Sequence, residues 1–278
     1  MKRSALFIIT FIFLYACSTV PITGRKQLSI IPNSQILPLS FDSYQQVLSE
    51  SKLSTNKEQT AMVKKVGVKI EQAVEQYMTQ HKMADALDGY AWEFNLIQDD
   101  ATVNAWCMPG GKVAFYTGIM PICQDEAGVA VVMGHEVAHA IANHGRERMS
   151  QGLVQQMGGV ALAVAMQDKP EETQALFFAA YAVGTTYGAM LPYSRLHESE
   201  ADKLGLIFMA MAGYDPHEAP KFWERMASQS GGSQPPEWMS THPSHESRIQ
   251  ALNDYMPTAM KYYNKQQKPT TKGGLIKR

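Results

Sequence analysis

Apolar and polar positions repeat with two different periods along this chain. Between residues 57 and 80 the apolar side chains recur at steps of three and four, which predicts an amphipathic helix, and residues 41–50 repeat the pattern. Residues 90–97 alternate instead, and two further short apolar segments, 102–107 and 112–117, are bounded by an Asp-Asp and a Pro-Gly-Gly turn. The pattern therefore predicts two helices followed by three strands.

A long helix with a largely apolar surface is expected directly after Pro121. Asp125 and Glu126 fall in its first turn, where the helix dipole favours acidic side chains. A later helical segment runs to Met211 and is closed by Gly213. These elements predict an α+β fold that is predominantly helical and forms one large domain or two tightly packed lobes.

Two Ala/Val-rich segments, residues 152–166 and 174–191, are separated by a polar turn and have two interpretations. A transmembrane hairpin is disfavoured because the first segment has only ~15 residues, where a spanning helix needs about 20. The second segment also contains Thr185, Thr186 and Tyr187. We therefore predict a hairpin of buried helices packed over the helix that follows Pro121, with shallow membrane contact as the alternative.

The first residues have the features of an export signal. A basic start precedes an apolar run at 5–14 that is too short to span a bilayer, and the run ends in Leu14-Tyr15-Ala16-Cys17, which resembles a bacterial lipobox. We predict a lipoprotein signal peptide at 1–16, lipidation of Cys17 and a tether at 17–30. An ordinary cleaved signal peptide with an incidental cysteine is the alternative. The predicted location is a bacterial cell envelope, lipid-anchored on the periplasmic side of a membrane, the outer one in a Gram-negative cell.

Charge and cysteine content narrow the function classes. Removing the leader leaves 23 basic residues against 26 acidic ones, and no basic run resembles a nucleic-acid surface. Residues 266–278 are predicted to be a mobile basic tail. Cys107 and Cys123 form either one disulfide or two buried free thiols.

The helix after Pro121 contains His135-Glu136-Val137-Ala138-His139. Two histidines four residues apart on a helix share a face and reach one metal ion, and the intervening glutamate can address a water molecule on that metal. His144 stands nine residues after His135, about half a turn away, so we expect it to lie off the zinc face and to make a structural hydrogen bond. The spacing predicts a metal held by His135 and His139, with Glu136 as the base.

A third metal ligand is expected further along the chain. Glu198 and Asp202 are four residues apart on the helical segment that ends at Gly213, so they share a face. One carboxylate would bind the metal and the other would fix the orientation of a ligand histidine. A solvated acidic patch beside Arg195 and Lys203 is the alternative. Two imidazoles, one carboxylate and a water molecule make an open, catalytic zinc site.

These residues are similar to the motifs of a known family. His135-Glu136-x-x-His139 followed by Glu198-x-x-x-Asp202 resembles the gluzincin metallopeptidases, and within them family forty-eight, which holds the CAAX prenyl protease, HtpX, BepA and Oma types. The supporting blocks are Asn104-Ala105-Trp106-Cys107-Met108-Pro109-Gly110-Gly111, similar to the family's Asn-Ala-Phe-x-x-Pro-Gly-Gly, then Tyr193-Ser194-Arg195, and Thr241-His242-Pro243 with Arg248. The likeness extends from about Leu28 to Leu252 and is nearest to the compact Oma/BepA-like domains.

The resemblance implies a gluzincin-type peptidase domain over 31–265, with one zinc ion per chain. A small sheet would face the two-helix zinc site, and its edge strand, with Asn104 and Ala105, would pair with an extended substrate. His242 would lie near the metal, where it either stabilises the transition state or occupies the fourth zinc position at rest. Arg248 would orient His242 or bind charge nearby.

The resulting hypothesis is a zinc metalloendopeptidase that acts on envelope or membrane-associated, misfolded proteins. A non-catalytic zinc-binding lipoprotein that assists assembly is the main alternative, and a zinc hydrolase for another bond is the third. The expected partners are protein or peptide substrates and, through the lipid, a membrane, with no nucleic acid. The oligomeric state and the physiological substrate stay open.

Overall fold

The computed structural model describes residues 17–20, 23–186, 190–229, 237–242 and 246–267. Its strands are β1 Cys17–Thr19, β2 Lys26–Leu28, β3 Glu93–Ile97, β4 Ala105–Met108 and β5 Lys112–Tyr116. Its helices are α1 Asn33–Glu50, α2 Lys57–Gln80, α3 Met120–Cys123, α4 Glu126–Ile141, α5 His144–Met166, α6 Glu171–Thr185, α7 Leu191–Met211, α8 Glu218–Ser228, α9 Glu237–Thr241 and α10 Glu246–Gln267.

The strands form two small sheets. The larger has the order β3-β5-β4, with β3 parallel and β4 antiparallel to β5, so that one side of β4 is a free sheet edge. The register places Ala105 opposite Phe115. The smaller sheet is an antiparallel ribbon of β1 and β2.

Helix α4 is the centre of the core. All of its residues from 128 to 141 are buried, as expected for a helix that is apolar on nearly every side. Its main partner is α7, and the two backbones approach closely where Gly134 faces Gly205. A Cβ added at Gly134 would lie 2.9 Å from the carbonyl oxygen of Gly205. Only glycine permits this approach, which brings the polar faces of the two helices together.

The chain changes direction sharply between α4 and α5. Asn143 has a φ of 57°, in the left-handed region that asparagine tolerates better than most residues. Helix α5 then begins at His144, one residue later. The two helices are therefore separate rods joined at one position, and helical counting from α4 does not continue into α5.

The predicted fold class is confirmed, and the strands and principal helices lie where the pattern placed them. Helix α1 begins eight residues earlier than position 41, at Asn33, and encloses Pro38. Proline is unfavourable in a helix interior, so the local sequence hid this start.

The prediction of a buried helical hairpin is wrong. Helices α5 and α6 form the hairpin, but α6 has no buried residue, and Met157 and Leu176 are 63% and 68% exposed. Ala/Val-rich sequence looks the same whether or not a neighbour covers it, which is why the pattern misled. Among the described helices, none is both long and apolar enough to cross a bilayer.

The predicted terminal segments are only partly described. Residues 1–16 lie outside the described residues, so the signal peptide and the lipidation of Cys17 stay predictions. Within the predicted tether, the β1/β2 ribbon packs beside α5, where Arg146 donates a hydrogen bond to the Ser18 hydroxyl. The predicted tail lies largely outside the described residues, and α10 extends to Gln267. The side chains of Cys107 and Cys123 are free thiols, which excludes the disulfide.

The Gly134–Gly205 contact leads to a stability prediction. In Gly134→Ala the new methyl group collides with backbone, which cannot move away as a flexible side chain would. We expect a loss of about 1–3 kcal/mol in the free energy of unfolding, although alanine is the better helix former. Urea unfolding followed by circular dichroism measures it.

Gly152→Ala is the matched control, because a Cβ there meets nothing within 4 Å. It should raise the free energy of unfolding by up to about 1 kcal/mol. Equal stabilisation by both substitutions would show that the helix approach is not a constraint.

Candidate active site

Three elements bring potential metal ligands to one point. Helix α4 supplies His135 and His139, α7 supplies Glu198, and His242 follows α9. One ligand atom from each of these four residues lies within 4.8 Å of the others. The three side chains predicted to hold the metal are therefore adjacent, and His242 joins them.

The spacing of these atoms fits a tetrahedral ion. His135 Nε2 lies 3.1 Å from both His139 Nε2 and His242 Nδ1, and the Glu198 carboxylate is 3.4 Å from the two helix histidines and 2.9 Å from His242. Four ligands at ~2.0–2.1 Å from zinc are about 3.3–3.4 Å apart. Two imidazole nitrogens that face each other at 3.1 Å need a proton or a cation between them. The chemistry and spacing of the donors fit zinc.

Asp202 and Arg248 support the cluster from behind. Asp202 Oδ1 lies 3.1 Å from His135 Nδ1 and accepts a 2.6 Å hydrogen bond from Arg248. Arg248 also lies 3.3 Å from the Glu198 carboxylate and stacks 3.5 Å from the ring centre of Trp223. The guanidinium therefore links the two carboxylates, and Asp202 holds the ring of His135 through the nitrogen that faces away from the ligand cluster.

The electrostatics of the cluster keep both carboxylates charged. Burial opposes ionisation of Glu198, but hydrogen bonds with the surrounding histidines hold its pKa well below its usual range. Burial also opposes ionisation of Asp202, and the charge of Arg248 lowers the pKa of that carboxyl. Burial pushes the pKa of His139 well below its usual value. A neutral imidazole beside an ionised carboxylate is the ligand form that zinc binds.

Glu136 faces a cleft beside the ligand atoms. Its Oε1 accepts a 2.7 Å hydrogen bond from the indole of Trp238 and lies 3.4 Å from His242 Nε2. The cleft has a volume of about 220 Å³, and its lining includes Ala105 and His139. The base candidate therefore shares one opening with the edge strand.

The predicted substrate strand lies at this cleft. Asn104 immediately precedes β4, and its amide donates a 3.0 Å hydrogen bond to Glu237 of α9. The backbone N–H of Trp238 donates to the carbonyl of Val103, so α9 is fastened to the start of the edge strand. Residues 105–107 of β4 line the cleft beyond this point.

Sequence reasoning missed two functional contacts. Trp238 lies one helical turn before His242 and holds Glu136, a spacing that could have indicated a shared site. The spacing predicts that His144 lies away from the zinc face, and it does not join the ligand atoms. However, the break at Asn143 turns it so that its Nδ1 lies 2.9 Å from His139 Nδ1. The Asn-His-Gly stretch at this point was the available signal for a helix end.

Residues 65–256 match the model of peptidase family M48, and the chain belongs to this family. It is similar to mitochondrial metalloendopeptidase OMA1 of Schizosaccharomyces pombe, 30% identical over 244 residues that cover 86% of this chain and 66% of the relative. The corresponding OMA1 of Homo sapiens is 29% identical over 246 residues, with 87% and 46% covered. The β-barrel assembly-enhancing protease of Escherichia coli is 31% identical over 166 residues, with 57% and 33% covered.

These comparisons confirm the family predicted from the motifs and support a zinc metalloprotease. The chain spans between about a third and two thirds of the length of these relatives. The predicted location in a bacterial cell envelope is contradicted. The two relatives that align with 86% and 87% of this chain are both mitochondrial proteases, and the export signal that suggested the envelope lies outside the described residues.

The donor geometry predicts that Glu198→Gln lowers zinc affinity, because a neutral amide replaces the one carboxylate among the four ligands. We expect a loss of at least about 100-fold. Competition with a chromogenic chelator measures it, and Glu224→Gln on the exposed face of α8 is the control. Unchanged affinity in Glu198→Gln would remove this carboxylate from the ligand set.

Proposed function

We propose that this chain is a zinc metalloendopeptidase that cleaves extended segments of membrane-associated or misfolded proteins. The observation that carries the proposal is that metal ligands, the candidate base and the edge strand line the same cleft. Two members of the ligand cluster, His139 and His242, line this cleft together with Glu136 and residues of β4. A peptide lying along that edge would pass the base and the metal together.

The roles follow from the contacts. His135, His139 and Glu198 would hold one zinc ion, which when bound activates water for attack on a peptide carbonyl. Glu136 would take a proton from the attacking water and deliver it to the leaving amine. The indole of Trp238 holds that carboxylate in place at 2.7 Å.

The edge strand supports a preference for extended substrates. A peptide that pairs with β4 gains main-chain hydrogen bonds, which bring affinity with little dependence on sequence. A segment without its own secondary structure has these groups free along its whole length, which favours misfolded proteins. The exposed apolar side chains of the α5/α6 hairpin, such as Met157 and Leu176, favour substrates or surroundings that are themselves apolar.

We also propose that His242 fills the fourth zinc position at rest. Its Nδ1 lies 3.1 Å from His135 Nε2 and 2.9 Å from Glu198, while its Nε2 lies 3.4 Å from Glu136. The ring therefore stands between the ligand cluster and the base, where the attacking water has to be. His242 would leave this position before each cleavage.

A non-catalytic zinc-binding assembly factor is the second candidate. Four protein ligands around one zinc ion are typical of a structural site, and His242 provides the fourth. Glu136 argues against it, since a metal site that only binds has no use for a carboxylate directed at the same opening.

Cleavage of an unfolded protein by zinc-loaded enzyme tests the proposed activity. We expect Glu136→Gln to bind zinc as the wild type does and to cleave casein about 10²–10⁴-fold more slowly, because the proton acceptor is gone. Glu224→Gln should cleave at the wild-type rate. Equal cleavage by Glu136→Gln and the wild type would refute the role of Glu136 as the base. A wild type that binds one zinc ion per chain but cleaves nothing would favour the assembly factor.

His242→Ala separates the two roles of that residue. If the ring closes the site, its removal should weaken zinc binding and raise the casein cleavage rate per bound zinc. A lower rate per bound zinc would instead assign His242 to the transition state.

A further inference from the structure

A second cluster of polar side chains, most of them buried, lies behind His139, on the side of its ring opposite the other metal ligands. It consists of residues from the β1–β2 turn, α5 and α7, namely Thr23, Arg25, His144, Glu147, His197 and Glu200. His144, Glu147 and Glu200 are 0%, 1% and 5% exposed. Burying so many charged groups is costly. The cluster reaches the metal ligand His139 through His144.

The hydrogen bonds in this cluster fix which nitrogen of each histidine carries a proton. An ionised carboxylate only accepts, so Glu200, at 3.2 Å, requires the proton of His144 to lie on Nε2. Two N–H groups cannot face each other at 2.9 Å, and a His139 that binds a metal through Nε2 carries its proton on Nδ1, so His144 Nδ1 is an acceptor. His139 Nδ1 is the donor of this hydrogen bond. The remaining nitrogen of His139, Nε2, is left with its lone pair directed at the metal cluster.

Arg25 binds Glu200, the last member of the hydrogen-bonded row His139–His144–Glu200. Its Nε donates a 2.8 Å hydrogen bond to Glu200, and its two terminal nitrogens donate to both oxygens of Glu147, at 2.9 and 2.7 Å. Thr23 donates to the other oxygen of Glu200. One guanidinium from the N-terminal ribbon thus joins a carboxylate of α5 to a carboxylate of α7.

Glu147 is charged, and its carboxylate is bound by Arg25 and by His197. Burial opposes its ionisation, but hydrogen bonds from His197 and Arg25 lower the pKa of Glu147 to about 2. His197 in turn stacks on His144, with ring centres 4.2 Å apart and planes within 15°. The plane of the His144 ring is therefore fixed as well as its proton.

We propose that His144 and Glu200 are positioning residues that set the metal-binding tautomer of His139, and that Arg25 of the N-terminal ribbon holds Glu200 for this purpose. Asp202 does the same for His135 directly. The inference rests on the proposed zinc site. It adds that the N-terminal β1/β2 ribbon, which is distant in sequence from the ligands, is part of the metal centre's support.

Nitrogen-15 NMR of the histidine rings in the full-length, zinc-loaded protein tests the proposal without any substitution. We expect His144 to carry its proton on Nε2 and His139 on Nδ1. A proton on Nδ1 of His144 would overturn the proposal, because the two facing nitrogens would then both be donors or the roles would be reversed.

Zinc affinity measured by chelator competition gives the second test. Glu200→Gln, Glu200→Asp and Arg25→Ala should each lower the affinity about 10–100-fold, and Arg25→Lys should recover part of the loss. Lys26→Ala is the control, since Lys26 lies on the same ribbon and its ammonium donates to the Thr19 hydroxyl. Circular dichroism of the zinc-free variants separates a folding defect from a loss of metal affinity.

The two proposals fail in different ways. A wild-type protein that binds no zinc would refute the zinc site itself. A wild type that binds zinc, with Glu200→Gln and Arg25→Ala binding it equally well, would refute only the positioning role.

Discussion

The close approach of α4 and α7 is the constraint on which the rest of the structure depends. Neither helix has a side chain where Gly134 meets Gly205, so the two backbones are in contact. At this separation a short carboxylate on one helix reaches imidazoles on the other. The 3.4 Å distances from Glu198 to His135 and His139 follow from it. A wider spacing would leave two half-sites, each with too few ligands for a metal ion.

Sequence reasoning succeeded where the geometry is local. The residues on one face of a helix follow from their spacing, so His135, His139 and the Glu198–Asp202 pair could be assigned before the fold was known. It failed where a single backbone angle sets the direction of the chain that follows. The positive φ of Asn143 rotates everything that follows, and this brought His144 to a place that counting along a helix excludes.

The exposure of the α5/α6 hairpin could not be read from its composition either. Burial depends on what lies next to a segment in space, and an apolar helix has the same sequence with or without a cover. Arg25 illustrates the same limit for polar residues. It lies more than 120 positions away in the chain from Glu147, and an isolated arginine in a Thr-Gly-Arg-Lys turn carries no sign of such a partner. Long-range ion pairs of this kind require the fold.

Because α5 is joined to α4 at the single residue Asn143, it is a lever arm whose base lies beside the zinc ligands. Helix α5 has 23 residues and is therefore about 35 Å long. A rotation of about 5° at the joint would move its far end, at Met166, by about 3 Å, but His144 beside the pivot by only a few tenths of an ångström. The same motion is thus amplified about tenfold along the helix. A distance label at the hairpin tip would register displacements near the zinc ligands that are too small to resolve at the site.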